Sequence, residues 1–181
     1  VVVDTGSSDD SVAVANRYGA RVVTTNWNAD FSVARNRALD LVNGKWVLCL
    51  DCDECLATRD HQIIGRLLCN ESVDGYRFTT RNYSNEQNQT GWTACDGSYA
   101  EEKRYPGWYP TSKVRLWRNK PHYRFQGAVH ELVETSIVEH GGEIADCVVP
   151  IHHYGHVEKK RNEDRYLIAG QLKVEKNPTD L

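Results

Sequence analysis

Residues 45–56 read KWVLCLDCDECL, and the choice of fold rests on how that stretch is taken. Cys49, Cys52 and Cys55 recur at every third position, interleaved with Asp51, Asp53 and Glu54. A thiolate metal site, a carboxylate metal site and a plain acidic loop at the end of a strand all compete for it. The run Trp46–Leu50 has the aromatic and β-branched character of a strand that stops at Asp51. In extended backbone, side chains alternate, so Asp51 and Asp53 would share one side with Cys49 and Cys55, and Cys52 would face the core. Three thiolates on one strand cannot converge on one ion. Structural zinc sites also draw on separated ligand pairs, whereas Cys69, Cys95 and Cys147 stand alone. Two carboxylates at the carboxyl end of a strand suit a hard divalent cation, Mn²⁺ or Mg²⁺, and ligands of open α/β sheets bind at that end. The carboxylate reading is preferred, with a non-catalytic zinc or interaction module as an alternative.

Working outward, Val1–Val3 reads as a buried strand, DTGSSDDS as a turn rich in capping residues, and a helix follows to about Tyr18, with Gly19 at its C′ position. ARVVTT is a second strand. Asp30 or Ser32 caps a helix that carries Ala34, Ala38, Leu41 and Val42 on one face and closes at Asn43-Gly44. KWVLCL is a third strand, and 58–69 a helix with Ile63, Ile64, Leu67 and Leu68 at helical spacing. Strand and helix alternating at these short intervals predict βαβ units and a mostly parallel open sheet flanked by helices, an α/β fold. Beyond it, GYRFTTRNY alternates as a strand, and 82–110 reads as a long polar loop. KVRLWRN and YRFQGAVHELVE flank the turn NKPH as a β-hairpin, DCVVPIHHYGH is a further strand, and 159–176 is a charged helix.

The 181 residues carry a formal net charge of −3, which gives no basic excess for a nucleic-acid backbone. No apolar run is long enough to form a transmembrane segment. The chain holds no methionine and opens inside an apolar run, so a truncated amino-terminal side is expected. Six cysteines are taken as reduced and largely buried. Asn70, Asn82 and Asn88 fit the glycosylation sequon, a pattern that Asn- and Ser-rich loops produce by chance.

VVVDTGSSDD, then FSVARN, then LCLDCDECL, in that order and spacing, resemble the family-2 glycosyltransferases of the GT-A (nucleotide-diphospho-sugar transferase) fold. VRLWRNKPHYRFQGAVHELVE and IHHYGH resemble later blocks of one bacterial branch of that family. The resemblance implies an inverting transfer of a sugar from a nucleoside-diphosphate donor, UDP being the expected one, to a glycan, lipid-linked or protein acceptor. It implies that Asp4, Gly6 and Ser7 meet the nucleotide, with Arg35 beside it, Asn36 supporting the loop, and Asp51 on ribose or metal-bound water. Asp51 and Asp53 form the D-x-D element, joined by His153 at the metal. Glu131 is the expected base, with His130 next to it; a structural pairing of Glu131 with Arg115, Arg118 or Arg124 is the competing account. The implied organisation is a nucleotide-sugar-binding half (1–81), an acceptor-side half of the same domain (82–157) and a C-terminal helical tail (158–181), into which helical repeats could continue. The implied place is the cytoplasm, including the inner membrane face as a peripheral position. A sugar nucleotidyltransferase is the other enzyme reading; its Gly-rich, basic loop is not seen in the chain.

Overall fold

The computed structural model describes residues 1–158, so the helix expected over 159–176 lies outside the described residues. In chain order the elements are β1 (Val2–Asp4), α1 (Ser11–Arg17), β2 (Val22–Thr24), α2 (Phe31–Leu39), β3 (Trp46–Leu48), β4 (Glu54–Cys55), α3 (His61–Leu67), β5 (Gly75–Tyr83), β6 (Thr93–Ala94), β7 (Gly107–Arg118), α4 (Glu134–Glu139), β8 (Ile144–His153) and α5 (Gly155–Glu158). They fall into two compact units. Among the described residues, the first holds Val1–Lys45 and Asn119–His140; the second holds Trp46–Arg118 and residues 141–158.

In the first unit β1 and β2 pair in parallel, Val2 opposite Val22 and Asp4 opposite Thr24. The two helices begin and end where capping chemistry dictates. Gly19, just past α1, has φ 75°, a left-handed turn that a side chain would strain. At the start of α2, the Asp30 side chain accepts from the Ser32 and Val33 amides. The segment after Asn119 is fastened to α2 rather than to a strand. Asn36 Nδ2 donates to the Phe125 carbonyl and Asn36 Oδ1 accepts from the Phe125 amide, both at 2.9 Å. Arg124 Nη1 reaches Asp40 Oδ1 at 2.7 Å.

The second unit is a six-stranded sheet in the order β3-β7-β5-β8-β4, with β6 paired to β7. Its core comprises Val73, Tyr76, Phe78, Leu116, Cys147, Val149 and Ile151, against which Ile63, Ile64 and Leu67 of α3 pack. The period-two alternation of β5 puts Tyr76 and Phe78 into that core, as the sequence pattern requires.

Three expectations are corrected here. The larger sheet is mixed, not mostly parallel: β3, β5 and β6 each run antiparallel to β7, and only β5·β8 is parallel within it. Alternation reports which face of a strand is buried but not its partner or direction. The hairpin of KVRLWRN with YRFQGAVHELVE does not form. KVRLWRN belongs to β7 and pairs with β3 and β5, while 123–134 makes only the single bridge Gln126↔Leu132. The antiparallel partner of β7 is β5, whose return connection contains β6 and a 3₁₀ turn at Ala100–Glu102, so 82–110 is not one loop.

Candidate functional site

The DCDE segment is a turn, not an extended strand end. β3 stops at Leu48, and the Glu54 amide donates to the Asp51 carbonyl at 3.0 Å. Glu54 closes the turn from its side chain as well, Oε2 accepting from the Asp51 amide at 2.8 Å. A turn does not keep strand parity, and the two aspartates go to different partners. Asp51 Oδ2 lies 3.5 Å from Arg115 Nη2, whereas Asp53 Oδ1 lies 3.6 Å from His153 Nε2. Asp51, Asp53 and His153 therefore do not form the trio expected from the sequence. Among the described residues no three His, Cys, Asp or Glu side chains gather as a metal-holding group. Cys52, expected in the core, is exposed at the turn's tip, and of the six free cysteines only Cys147 is buried.

Beneath the turn, Arg115 and Glu54 form a buried ion pair. Burial pushes the Glu54 carboxyl above its ordinary range, and the Arg115 guanidinium offsets part of that rise. Arg115 thus neutralises Glu54 while drawing Asp51 toward it.

The Asp53–His153 contact is built tightly. His153 ends β8 and is placed by the pairing of Glu54 with His153 in β4·β8 and of Asn82 with His153 in β5·β8. The Tyr154 amide donates to the Asp53 carbonyl at 3.0 Å. Gly155 follows immediately. A Cβ there would stand 2.4 Å from Asp53 Oδ2 and 2.7 Å from His153 Nε2, so a side chain at this position would have to push those two ligand-type atoms aside. His152, one residue earlier, points to the opposite face. It is fully buried, with Nδ1 2.7 Å from the Tyr83 hydroxyl and its ring tilted against Tyr99. Burial lowers its pKa to about 4, so it stands neutral, as a packing residue. The side chain of His156, the third member of the sequence cluster, is outside the described residues.

In the first unit, Asp4 accepts from the Gly6 amide at 3.2 Å and the Ser7 amide at 3.1 Å. Hydrogen bonds from the Ser7 side chain first, and then from the Ser7 and Gly6 amides, hold its carboxyl below the usual range. Gly6, at φ 106°, makes that loop possible. Elsewhere in the unit, Arg35 Nε meets Glu131 Oε1 at 2.5 Å, and the Arg35 guanidinium lies 5.4 Å above the Phe125 ring. Glu131 is buried and its neighbour His130 exposed. The two point apart because His130 takes a left-handed φ of 58° inside the loop closed by Gln126 and Leu132. The carboxylate's partner is Arg35, which is none of the three arginines weighed from the sequence.

Residues 1–129 match the family model described as glycosyl transferase family 2. The chain belongs to that family. As a family-2 glycosyltransferase domain it is 33% identical over 163 residues to a TPR repeat-containing protein of Synechococcus elongatus, covering 86% of this chain and 35% of that protein. It is also 34% identical over 76 residues to an uncharacterized glycosyltransferase of Rickettsia conorii, covering 42% of this chain and 27% of that protein. The chain thus spans about a third of the length of these curated relatives. Among solved structures it is similar to glucosyl-3-phosphoglycerate synthase of Mycobacterium tuberculosis in complex with Mn²⁺ and UDP-glucose (TM-score 0.55, 15% identity, 96% of this chain and 65% of that one). It is likewise similar to S. aureus TarS 1-349 (TM-score 0.56, 14% identity, 99% of this chain and 56% of that one). These neighbours share the GT-A fold, so the fold of this family-2 domain is the one its motifs implied. Among the described residues, no helix is long and apolar enough to cross a membrane.

Two features of the site escape a reading of motifs. Asn82, which the sequence offers only as part of a sequon, is buried and bonded on every side, as no glycan-bearing residue is. Arg115 is hidden in a strand of mixed composition. Its one sequence signal is a cation at an inward-facing position of β7.

Proposed function

We propose that this domain belongs to an inverting glycosyltransferase that moves a sugar from a nucleoside-diphosphate donor, UDP being the expected one, with Mn²⁺ or Mg²⁺ held by Asp53 and His153. The observation that carries the reading is the Asp53–His153 pair: an oxygen and a nitrogen donor 3.6 Å apart, backed by a glycine where a side chain would have to displace both. Such a pair fits a divalent ion that accepts mixed ligands, and it favours Mn²⁺ over Mg²⁺ because one ligand is an imidazole. The Mn²⁺ and UDP-glucose of the mycobacterial neighbour support the same kind of ligands. A divalent ion there supplies positive charge to the departing nucleoside diphosphate. Asp51, held beside Arg115, is assigned to ribose or to water in the ion's shell. In the first unit, Asp4, Gly6 and Ser7 are assigned to the nucleoside, with Arg35 and Asn36 supporting them. Glu131 is assigned as the base that takes the acceptor's proton, with Arg35 positioning it; exposed His130 borders the acceptor side. The Synechococcus relative supports helical repeats beyond residue 181, and the acceptor is a glycan, a lipid-linked group or a protein. The place of action is the cytoplasm or the inner membrane face.

The test is binding and slow hydrolysis of a panel of nucleotide sugars, UDP-sugars first, by the full-length protein with and without Mn²⁺. Metal-dependent binding that Asp53→Asn abolishes supports the reading. A folded protein that binds no nucleotide with any divalent ion removes it.

A further inference from the structure

We propose that Asn82 is a positioning residue for the metal: it holds the imidazole of His153 in the tautomer that presents Nε2 as a ligand atom. The inference rests on the metal reading of Asp53 and His153 and assigns a role to a residue outside the family's motifs.

The argument starts from the amide of Asn82, whose two ends differ in chemistry. Its Nδ2 stands 3.1 Å from the Tyr109 carbonyl and 3.0 Å from the Thr111 hydroxyl, with the Thr80 carbonyl at 3.4 Å. A carbonyl oxygen only accepts, so the end of the amide facing Tyr109 must be the donating NH₂. That fixes the amide's orientation and turns Oδ1 toward His153, where it lies 2.7 Å from Nδ1. An amide oxygen also only accepts, so His153 Nδ1 must carry a hydrogen. In the neutral ring the other nitrogen, Nε2, then bears the lone pair. Nε2 is the atom that faces Asp53 Oδ1 and lies against Gly155.

The backbone holds this chain of hydrogen bonds from both sides. Asn82 is central in the sheet, opposite Tyr109 of β7 on one side and His153 of β8 on the other. Its side chain is buried, so water does not compete for either end. An imidazole that donates from one nitrogen to a fixed acceptor while its other nitrogen faces a carboxylate has the arrangement of a metal ligand oriented by a second layer of hydrogen bonds. Disturbing that layer typically weakens metal binding by about 10- to 100-fold. The opposite tautomer, with the hydrogen on Nε2, would point a donor at Asp53 and leave the ion one ligand short.

The experiment has two readouts, the first of which needs no metal and no turnover. Ring ¹⁵N shifts of His153 at neutral pH, in the full-length protein, distinguish the Nδ1–H, Nε2–H and doubly protonated forms. The expected wild-type result is Nδ1–H; either other form overturns the proposal without any variant having to fold. Mn²⁺ is then titrated alone, following paramagnetic broadening of the same ring signals. Asn82→Leu should shift the tautomer toward Nε2–H and weaken Mn²⁺ about 10- to 100-fold. An Asn82→Leu protein with wild-type tautomer and affinity removes the role of Asn82 alone and leaves the metal site standing. A wild-type protein with the Nδ1–H form that shows no Mn²⁺ effect at His153 instead removes the metal reading, and with it this role.

Discussion

The Asp53–His153 and Arg35–Glu131 pairs are both close, partly buried contacts, yet they are chemically opposite. Arg35 and Glu131 are a cation and an anion 2.5 Å apart, a contact that satisfies itself. Asp53 and His153 set a carboxylate oxygen against an imidazole nitrogen at 3.6 Å, with the other ring nitrogen held by Asn82. On the metal reading proposed above, a contact of the second kind takes in a cation from outside the chain. A contact of the first kind has to be loosened before either partner acts on a substrate. The difference separates a place prepared for a ligand from a place held ready and restrained.

Breaking the first of these places should have the largest effect. Asp53→Asn is expected to lower metal-dependent transfer about a thousand-fold, several kcal/mol of charge stabilisation, while Cys52→Ala changes it less than about twofold. Initial rates across a Mn²⁺ series measure both, and equal losses would mean that the turn, not the carboxylate, matters. The buried pair under the turn comes next. Glu54→Gln leaves Arg115 with only the longer Asp51 contact and should cost up to about 3–5 kcal/mol of folding stability, whereas Asp40→Asn at the exposed Arg124 pair should cost less than about 1. Denaturant melts of the two variants side by side decide this.

The third effect depends on pH. His152 keeps a folded pKa of about 4 against 6.5 unfolded, so between those values the unfolded chain binds the extra proton. Stability is therefore full above about pH 6.5 and falls toward pH 4, by roughly 3 kcal/mol at most. His152→Phe, which can still stack on Tyr83 and Tyr99, should flatten that acid limb in thermal melts at stepped pH. The smallest effect tests the restrained pair. Glu131→Gln should lower kcat about 100-fold with the donor KM unchanged. A KM change without a kcat change would make Glu131 a clamp on Arg35 and nothing more.

The residues that announce the family were legible because they are local. Asp30 capping α2, Gly19 ending α1 and the alternation of β5 are each decided within a few positions of chain. What misled was non-local. The pairing of β7 with β5 rather than with 123–134 is a choice between partners that alternation cannot rank. Asp51 and Asp53 do not share a strand face because β3 ends two residues short of the apolar run; the Asp51–Glu54 turn sends them to Arg115 and His153. Asn82 carried no local sign of its importance, since its meaning comes from Tyr109, Thr111 and His153, which are 27, 29 and 71 positions away.

One feature of the sheet has a consequence for how the chain can vary. Phe78 pairs with Cys147, but Thr80 pairs with Ile151, so β8 spends two more residues than β5 across this irregularity, where Val148 is 85% exposed. Removing two residues there would keep every side chain on its own face and leave the buried pattern plausible. It would also let the two strands step evenly from the Phe78–Cys147 pair to the Thr80–Ile151 pair, and so leave His153 opposite Asn82. Two residues inserted between Ile151 and His153 would instead carry His153 about 7 Å past Asn82 along the strand while every other side chain keeps its face. Among homologues, the spacing from Ile151 to His153 should therefore hold while the irregularity between Cys147 and Ile151 varies in length by twos.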